Sequence, residues 1–315
     1  MKIIAEDLWF PEGPVWMGDG SLLVVEIRRR TLTRLWLDGR PRRYYPLGGG
    51  PNGAAIGPDG CCYVCNNGGI GYTQRGDGVW ISTGQAADYQ GGFIQKVDLD
   101  SGESMVLYDR AGIEPLRGPN DLVFDAHGGF YFTDPGKVRM RDWDKGCVCY
   151  AMADGSSIQQ VIFPIHKPNG IGLSPDGRTL YVSETETARV LAWRVVAPGK
   201  LAPLPGDEPR PVHHGKLVYV SPHYVRLDSL ALENTGRVCV GTLETGGITA
   251  IEPSTGAAEF RKLPDDPHCT NLCFGGPGLS QAFITQSHLG RVIQVDWPRP
   301  GQALHYAAES ESGAT

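Results

Sequence analysis

The sequence has few of the features that mark membrane, secreted or nucleic-acid-binding proteins. It contains no apolar run of membrane-spanning length, and its N-terminus reaches acidic residues too soon for the apolar core of a signal peptide. Lysine and arginine number 29 against 35 aspartates and glutamates, and basic residues form a block only at Arg28 to Arg30. Nucleic acid requires a more extended basic surface. These absences predict a soluble, cytoplasmic protein without nucleic-acid or membrane partners.

Complete motifs for zinc binding, nucleophilic catalysis and phosphate binding are also missing. Cys62 and Cys65 have the spacing of half a zinc knuckle, but the other cysteines do not repeat that spacing. The segment GLSPDG around Ser174 lacks a glycine that a nucleophile elbow requires. No Gly-Lys-Ser/Thr follows the glycine-rich runs. We therefore expect the eight cysteines to be reduced, structural thiols.

What the sequence does have is one motif repeated six times. Each copy contains a polar pair, a short apolar run, a turn rich in Gly, Asp or Asn, and a second apolar run, which together predict a β-hairpin. The copies are PEGPVWMGDGSLLVVE from Pro11, PNGAAIGPDGCCYVCN from Pro51, PNDLVFDAHGGFYFTD from Pro119, PNGIGLSPDGRTLYVSE from Pro168, LDSLALENTGRVCVGT from Leu227 and TNLCFGGPGLSQAFITQ from Thr270.

Further strand-like runs lie between the copies, as in RVLAWRVV (189–196) and GRVIQVDW (290–297). Each hairpin and the strands after it would form a four-stranded antiparallel blade, so the sequence predicts an all-β, six-bladed β-propeller. We assign residues 1–300 to this single domain and residues 301–315 to a loose C-terminal tail. The longest insertions, at 67–92 and 198–225, are candidate lids. The protein is expected to be a monomer or a small homo-oligomer.

The second residue of every copy is polar and carries a side-chain oxygen. Radial symmetry would bring these six side chains around the central axis, where they could bind Ca²⁺, Mg²⁺ or Mn²⁺. Asparagine and aspartate before a strand also make local turn bonds, so a purely structural role is the alternative. The two carboxylates favour the metal, because they would repel each other without a cation. The six residues are Glu12, Asn52, Asn120, Asn169, Asp228 and Asn271.

A second polar column ends the second strand of each copy. Most of its members would be strand-end residues facing water, although an additional cation site is an alternative. Asp134, in FYFTDPG, is the member that we single out. The column contains Glu26, Asn66, Asp134, Glu184, Thr242 and Gln286.

Four segments, PEGPVW, GPNDLVFDAHGGFYFTDPG, KPNGIGLSPDGRTLYVSET and the Asp228 copy, carry a family resemblance. Over about residues 10 to 290 the sequence resembles the gluconolactonase/regucalcin (senescence marker protein) family, which includes drug-responsive lactonases and lies near diisopropyl-fluorophosphatase. The resemblance implies a six-bladed propeller with one divalent cation near its axis. Calcium is favoured, with magnesium, manganese or zinc as alternatives. The implied metal ligands are Glu12, Asn120, Asn169 and Asp228, and Asp134 resembles an additional calcium-binding residue of the drug-responsive lactonases.

Two segments depart from the family pattern. Regucalcin has a sugar-contacting arginine just before its PND motif, whereas this chain has Gly118 there and Arg117 one residue earlier. The Asp228 copy reads LDS rather than PDG, and the preceding SPHYVR would bring Tyr224 close to the site. We therefore expect a rebuilt pocket wall.

The resulting hypothesis is a metal-dependent hydrolase that opens the ester bond of a small-molecule lactone. Asp228 would be both ligand and general base, with Asn120 as the second catalytic residue. Alternatives are a phosphotriester (organophosphate) hydrolase using the same metal site and a non-catalytic calcium-binding propeller. The residues assigned to substrate binding are Asn52, Arg117, Tyr224, His268 and Asn271.

Overall fold

The computed structural model describes residues 1–206 and 215–307, and this part of the chain is almost entirely β-structure. Its one helical element is a short 3-10 helix at Pro277–Leu279. Within these two ranges, no helix has the length and apolar character needed to cross a membrane.

The strands follow one another as short segments along the chain. In chain order they are β1 (Lys2–Ala5), β2 (Pro11–Trp16), β3 (Ser21–Glu26), β4 (Thr31–Trp36), β5 (Arg43–Pro46), β6 (Pro51–Ile56), β7 (Cys62–Asn66), β8 (Ile70–Gln74), β9 (Trp80–Gln85), β10 (Phe93–Val97), β11 (Ser104–Tyr108), β12 (Arg110–Ala111), β13 (Glu114–Pro115), β14 (Leu122–Phe124), β15 (Gly129–Asp134), β16 (Gly146–Met152), β17 (Ile158–Ile165), β18 (Pro168–Leu173), β19 (Thr179–Glu184), β20 (Arg189–Ala197), β21 (Lys200–Ala202), β22 (Lys216–Val220), β23 (Arg226–Leu232), β24 (Val238–Leu243), β25 (Gly247–Ile251), β26 (Ala258–Lys262), β27 (Cys269–Gly275), β28 (Gln281–Gln286) and β29 (Arg291–Asp296).

Six antiparallel sheets form the blades of a propeller, which confirms the predicted fold. Blade 1 is β2–β5, blade 2 is β6, β7, β10 and β11, and blade 3 is β14–β17. Blade 4 is β18–β21 with β22 also paired to β20, blade 5 is β23–β26, and blade 6 is β27–β29 with β1. Each predicted hairpin supplies the two innermost strands of one blade.

The N-terminal strand closes the ring of blades. β1 pairs antiparallel with β29, with Lys2 opposite Gln294 and Ile3 opposite Ile293. The outermost strand of blade 6 therefore comes from the other end of the chain. This pairing joins the first and last blades without a covalent bond and covers an edge strand that would otherwise be open.

Aromatic and β-branched residues fill the spaces between blades. Tyr63 of blade 2 meets Phe124 of blade 3 with ring centres 5.1 Å apart and planes at 80°. Phe124 also packs against Phe130 at 5.1 Å. Edge-on pairs of this kind add about 0.5–1.5 kcal/mol each beyond the area that they bury. Both faces of a blade are covered by neighbours, so the whole of β3 and β7 is buried.

The first candidate lid and the C-terminal segment lie outside the regular blades, whereas part of the second candidate lid joins blade 4. Within 67–92, β8 and β9 form a separate two-stranded hairpin. Within 198–225, β21 and β22 join blade 4, and residues 207–214 lie outside the described residues. Of the predicted tail, residues 308–315 also lie outside the described residues. Residues 301–307 pack on the propeller, where Gln302 N–H donates to Leu232 O at 2.8 Å and Tyr306 Oη accepts from Gly128 N–H at 3.0 Å.

The eight cysteines are free thiols, as expected from the sequence. All are buried except Cys61, which is partly buried. Burial raises the pKa of Cys62 and of Cys65. These thiols are therefore protonated core residues rather than nucleophiles.

Candidate functional site

The second residue of each repeated motif lies where an innermost strand begins. In five of the six blades the register between the two inner strands shifts at this position, for example between Glu12 and Val15 and between Pro51 and Ala54. In blade 3, β14 begins only at Leu122, after Asn120. A register shift of this kind re-aims a side chain relative to a regular strand. We call the six residues Glu12, Asn52, Asn120, Asn169, Asp228 and Asn271 the hub ring.

Neighbouring members of the hub ring are packed backbone to backbone. A Cβ on Gly13 would lie 2.5 Å from Asn52 O, and a Cβ on Gly53 would lie 2.5 Å from Asn120 O. Glycine after the ring residue therefore allows consecutive blades to approach closely at the axis. Hydroxyl groups join other neighbours, because Thr133 Oγ1 donates to Asn169 O and Ser183 Oγ donates to Asp228 O, both at 2.6 Å.

Both carboxylates of the hub ring have raised pKa values, and the charge of Asp228 acts on Glu12. Burial raises the pKa of Glu12 well above its ordinary value, and the charge of Asp228 raises it further. Burial also raises the pKa of Asp228, to about 7, although the Asn169 side chain and the Arg226 charge oppose this increase. Two carboxylates so placed require a proton or a cation between them.

The amides of the hub ring complete a set of oxygen donors. Asn169 Nδ2 donates to Thr185 Oγ1 at 3.1 Å, while its Oδ1 accepts from Ser229 Oγ at 3.3 Å. The Asn271 and Thr270 side chains bond to Glu12 and lower its pKa. Asn120 Oδ1 is buried and has no hydrogen-bond partner among the described residues. A buried amide oxygen without a partner is costly unless something binds it.

These residues fit a divalent cation with oxygen ligands. Carboxylate and amide oxygens are the donors that calcium and magnesium prefer, and Asn120 Oδ1 is available to bind one. Across residues 1–206 and 215–307, no three His, Cys, Asp or Glu side chains cluster as a metal site. A cation at the hub would therefore be bound by the two carboxylates together with amide oxygens.

Three residues predicted to bind substrate lie outside the hub ring. The Arg117 guanidinium lies 3.7 Å from Asp144 Oδ1. The Tyr224 side chain is 85% exposed. His268 stacks on His288 with ring centres 3.5 Å apart. Burial lowers the pKa of His268 to about 3, so its imidazole is neutral. In contrast, Asn52 and Asn271 are buried members of the hub ring.

All six members of the second polar column are buried, so the expectation that most of them face water was wrong. Members of the column instead fasten loops that enter the innermost strands. Asp134 accepts from the N–H groups of Arg117, Gly118 and Gly136 at 2.7, 2.8 and 2.9 Å. Glu26 accepts from Trp9 N–H at 2.7 Å in the same manner. Backbone donors thus occupy both Asp134 oxygens; burial raises the pKa of Asp134, and these donors oppose that increase. This geometry gives Asp134 a role in holding the segment that leads to Asn120.

The structure adds three residues that the repeat pattern did not select. Burial raises the pKa of Asp121 to about 7, and the nearby Asp228 charge adds to this increase. Asp121 follows Asn120 directly, so the PND segment was a usable signal for it. Tyr72 lies on the β8–β9 hairpin, and Arg28 lies on the turn after β3. No sequence pattern connects either residue to the hub ring.

An apolar cavity of about 620 Å³ lies between the innermost strands. Its lining includes Gly13, Asp121 and Asn271, so it adjoins the hub ring, and residues 302–307 also line it. The cavity follows the propeller axis because all six innermost strands contribute to it. The hub ring therefore has apolar surroundings along the axis, which strengthen electrostatic interactions.

The fold and the hub ring define a six-bladed propeller with oxygen donors at its axis. A family model described as SMP-30/gluconolactonase/LRE-like region matches residues 10–288, and the chain belongs to this family. A gluconolactonase from Zymomonas mobilis is 27% identical over 316 residues, covering 94% of this chain and 80% of that protein. Lactonase drp35 from Staphylococcus saprophyticus is 38% identical over 102 residues, covering 31% of this chain and 29% of that lactonase.

A solved structure extends the similarity to nearly the whole chain. Regucalcin from Agrobacterium tumefaciens, described as a calcium-binding protein, has a TM-score of 0.70 at 17% identity. The match covers 96% of this chain and 97% of that one. At this identity the similarity shows the fold, and the family resemblance found in the sequence is confirmed by the family model.

Proposed function

We propose that this protein is a metal-dependent lactonase that hydrolyses the ester bond of a small-molecule lactone at the hub ring. The observation that carries the proposal is the effect of the Asp228 charge on the buried Glu12 carboxylate, together with a buried Asn120 Oδ1 that has no hydrogen-bond partner among the described residues. Relatives named gluconolactonase and lactonase support the reaction, and the structural match to a calcium-binding protein supports calcium. Glu12, Asn120, Asn169 and Asp228 would hold the cation.

The residues of the hub ring have complementary roles in this reaction. When bound, a divalent cation would polarise the lactone carbonyl and stabilise negative charge on its oxygen. Asp228 would accept a proton from the attacking water at its carboxylate and return it to the ring oxygen of the lactone as the acyl C–O bond breaks, and the Asn169 side chain orients that carboxylate. Asn52 and Asn271 would orient water or substrate.

Substitution of Asp228 tests the reaction and separates its two assigned roles. We expect Asp228→Ala to lower kcat on lactones by about 100-fold or more, because a ligand and a base are lost together. Asp228→Asn retains an oxygen donor but loses the base, so metal content measured by mass spectrometry should survive while turnover falls. Asp38→Ala removes an exposed carboxylate and is the matched control.

The assay should include an organophosphate triester beside the lactone panel. Turnover of the triester alone would replace the lactonase proposal with a phosphotriesterase. Metal binding without turnover of either class would indicate a calcium-binding propeller. Full lactonase activity in Asp228→Ala would reject the assigned mechanism.

A further inference from the structure

Among the described residues, Arg28 has no ion-pair partner and contacts two indole rings. Its guanidinium carbon lies 4.5 Å from the centre of the Trp9 ring and 4.1 Å from that of Trp80. Its neighbours in sequence are neutralised, since Arg29 pairs with Glu26 and Arg30 with Asp88, both at 2.7 Å. In the described ranges, no carboxylate forms an ion pair with Arg28. Its Nε is buried and donates no hydrogen bond there.

Tyr72 supplies a second unsatisfied group in the same place. Its hydroxyl is buried and has no hydrogen-bond partner within the described ranges, and its ring centre is 5.1 Å from that of Phe10. Burial raises the pKa of Tyr72, the Glu12 charge raises it further, and the Arg28 charge lowers it. The hydroxyl is therefore a protonated donor within electrostatic range of both residues.

The β8–β9 hairpin packs Tyr72 against Phe10 and Trp80 against Arg28. Trp80 pairs with Gln74 across the hairpin, and Tyr72 pairs with Ser82. Trp9 and Phe10 directly precede β2, which carries Glu12. The hairpin, Arg28 and the start of β2 therefore meet beside one ring carboxylate.

We propose that Arg28 and Tyr72 bind a carboxylate carried by the substrate, and that the lactone therefore bears an acidic substituent. This inference rests on the proposed function and names the substrate class of the same site. A guanidinium offers two parallel N–H groups that match the two oxygens of a carboxylate. One cation and one neutral hydroxyl match a single negative charge better than the double charge of a phosphate.

The aromatic contacts of Arg28 favour selective binding of a carboxylate by Arg28 and Tyr72. Packing against Trp9 and Trp80 restricts the long arginine side chain, so less conformational entropy is lost when it binds an anion. The buried Nε and Tyr Oη both gain partners from an acidic substrate. A neutral substituent would satisfy fewer of these donors, which is a strong basis for discrimination.

Two lactones that differ in one carboxylate test the proposal. D-glucaro-1,4-lactone has a carboxylate where D-glucono-1,4-lactone has a hydroxymethyl group. We expect the wild-type protein to favour the acidic lactone in kcat/KM. Arg28→Gln should reduce that preference by about 10- to 100-fold and Tyr72→Phe by about 3- to 10-fold, which is the usual range for lost bonds to charged and neutral groups. Arg40→Gln is the control for charge, because Arg40 is exposed and pairs with Asp38.

Binding of open-chain compounds decides the question independently of turnover. Calorimetry with gluconate and its neutral counterpart glucitol, which has a hydroxymethyl group in place of the carboxylate, should show tighter binding of gluconate by the wild type and a smaller difference for both variants. No preference in the wild type, or equal losses for acidic and neutral compounds in the variants, would overturn the proposal. If neither lactone is hydrolysed, the lactonase proposal fails, while the comparison of gluconate with glucitol still tests the carboxylate pair.

Discussion

Gly53 illustrates how one residue without a side chain positions the hub ring. The backbone of blade 3 occupies the space that a Cβ on Gly53 would need. Such a Cβ would lie 2.5 Å from Asn120 O and 2.7 Å from the Asp121 Cα. Neither contact involves a flexible side-chain end, so a methyl group there could fit only if two blades moved apart. The position of Asn120 relative to Asn52 thus depends on glycine at the adjacent position.

We therefore predict that Gly53→Ala damages both stability and activity. Overpacking against backbone should lower the free energy of unfolding by about 1–3 kcal/mol, measured by urea denaturation. Displacement of the ring should lower kcat/KM by about tenfold or more. Gly76→Ala is the matched control, because a Cβ there would meet no heavy atom within 4 Å. Its stability should change by no more than about 0.5 kcal/mol. Equal behaviour of the two variants would contradict the packing argument.

The residues of the hub ring could be selected from the sequence because they recur at one position of a repeat. Glu12 and Asn169 each follow a proline and precede a glycine, and the fold turns this shared position into convergence at the axis. Arg28 and Tyr72 belong to no repeat. Only the packing of a hairpin on the turn after β3 brings them together, and that contact leaves no periodic signal in the sequence.

At the level of elements, Lys137 fastens the segment before the β8–β9 hairpin. Its Nζ donates to Gly69 O at 2.8 Å and to Asn67 Oδ1 at 3.2 Å, and it lies 4.9 Å from the Tyr89 ring centre. Val138 O accepts from Gln85 N–H at 3.1 Å at the other end of the hairpin. The hairpin is thus held at both ends by the segment that follows β15.

We predict that Lys137 gives the protein a measurable dependence of stability on alkaline pH. Burial lowers the pKa of Lys137 from 10.5 to about 8, so between these values the unfolded chain binds more protons than the folded chain. Stability should therefore rise with pH across this range, by about 2–3 kcal/mol relative to a variant without the amine.

Urea unfolding of wild type and Lys137→Met at pH 7.5 and pH 10 measures this dependence. The wild type should gain stability relative to the variant at the higher pH. Lys200→Met controls for loss of an exposed lysine. Parallel changes in wild type and Lys137→Met would show that the amine of Lys137 is not the titrating group.

The sequence predicted the elements more completely than their connections. Alternating apolar runs around Gly and Asp turns indicated the hairpin strands, which the structure shows as the inner strands of each blade. The role of β1 could not be predicted. This four-residue strand precedes the first copy, and its sequence does not indicate pairing with a strand 290 residues away. The register shifts at the hub ring were also hidden, since they depend on contacts between blades.

At the scale of the whole molecule, closure of the ring of blades forces the two hub carboxylates together. Glu12 lies in blade 1 and Asp228 in blade 5, and neither blade can withdraw its carboxylate without disturbing both neighbours. In the metal-free protein burial raises the pKa of both groups, and the Asp228 charge raises that of Glu12 further, so protonation relieves the cost of holding them at the hub. A bound cation would relieve it at neutral pH instead.

The stability of the metal-free protein should consequently fall as pH rises. The pKa of Asp228 increases from 3.8 to about 7 on folding, so the folded protein binds more protons than the unfolded chain between these values. Its contribution to stability is fully present below pH 3.8 and is lost as pH rises through 7, a loss of about 2–4 kcal/mol.

Thermal unfolding after chelation, measured from pH 4.5 to 7.5, should show this decline. Excess calcium should remove most of it, whereas Asp228→Asn should show a flatter profile without metal. The chelated wild type could instead be as stable at pH 7.5 as at pH 4.5, with no change in stability when calcium is added. That result would rule out a cation site at the hub ring.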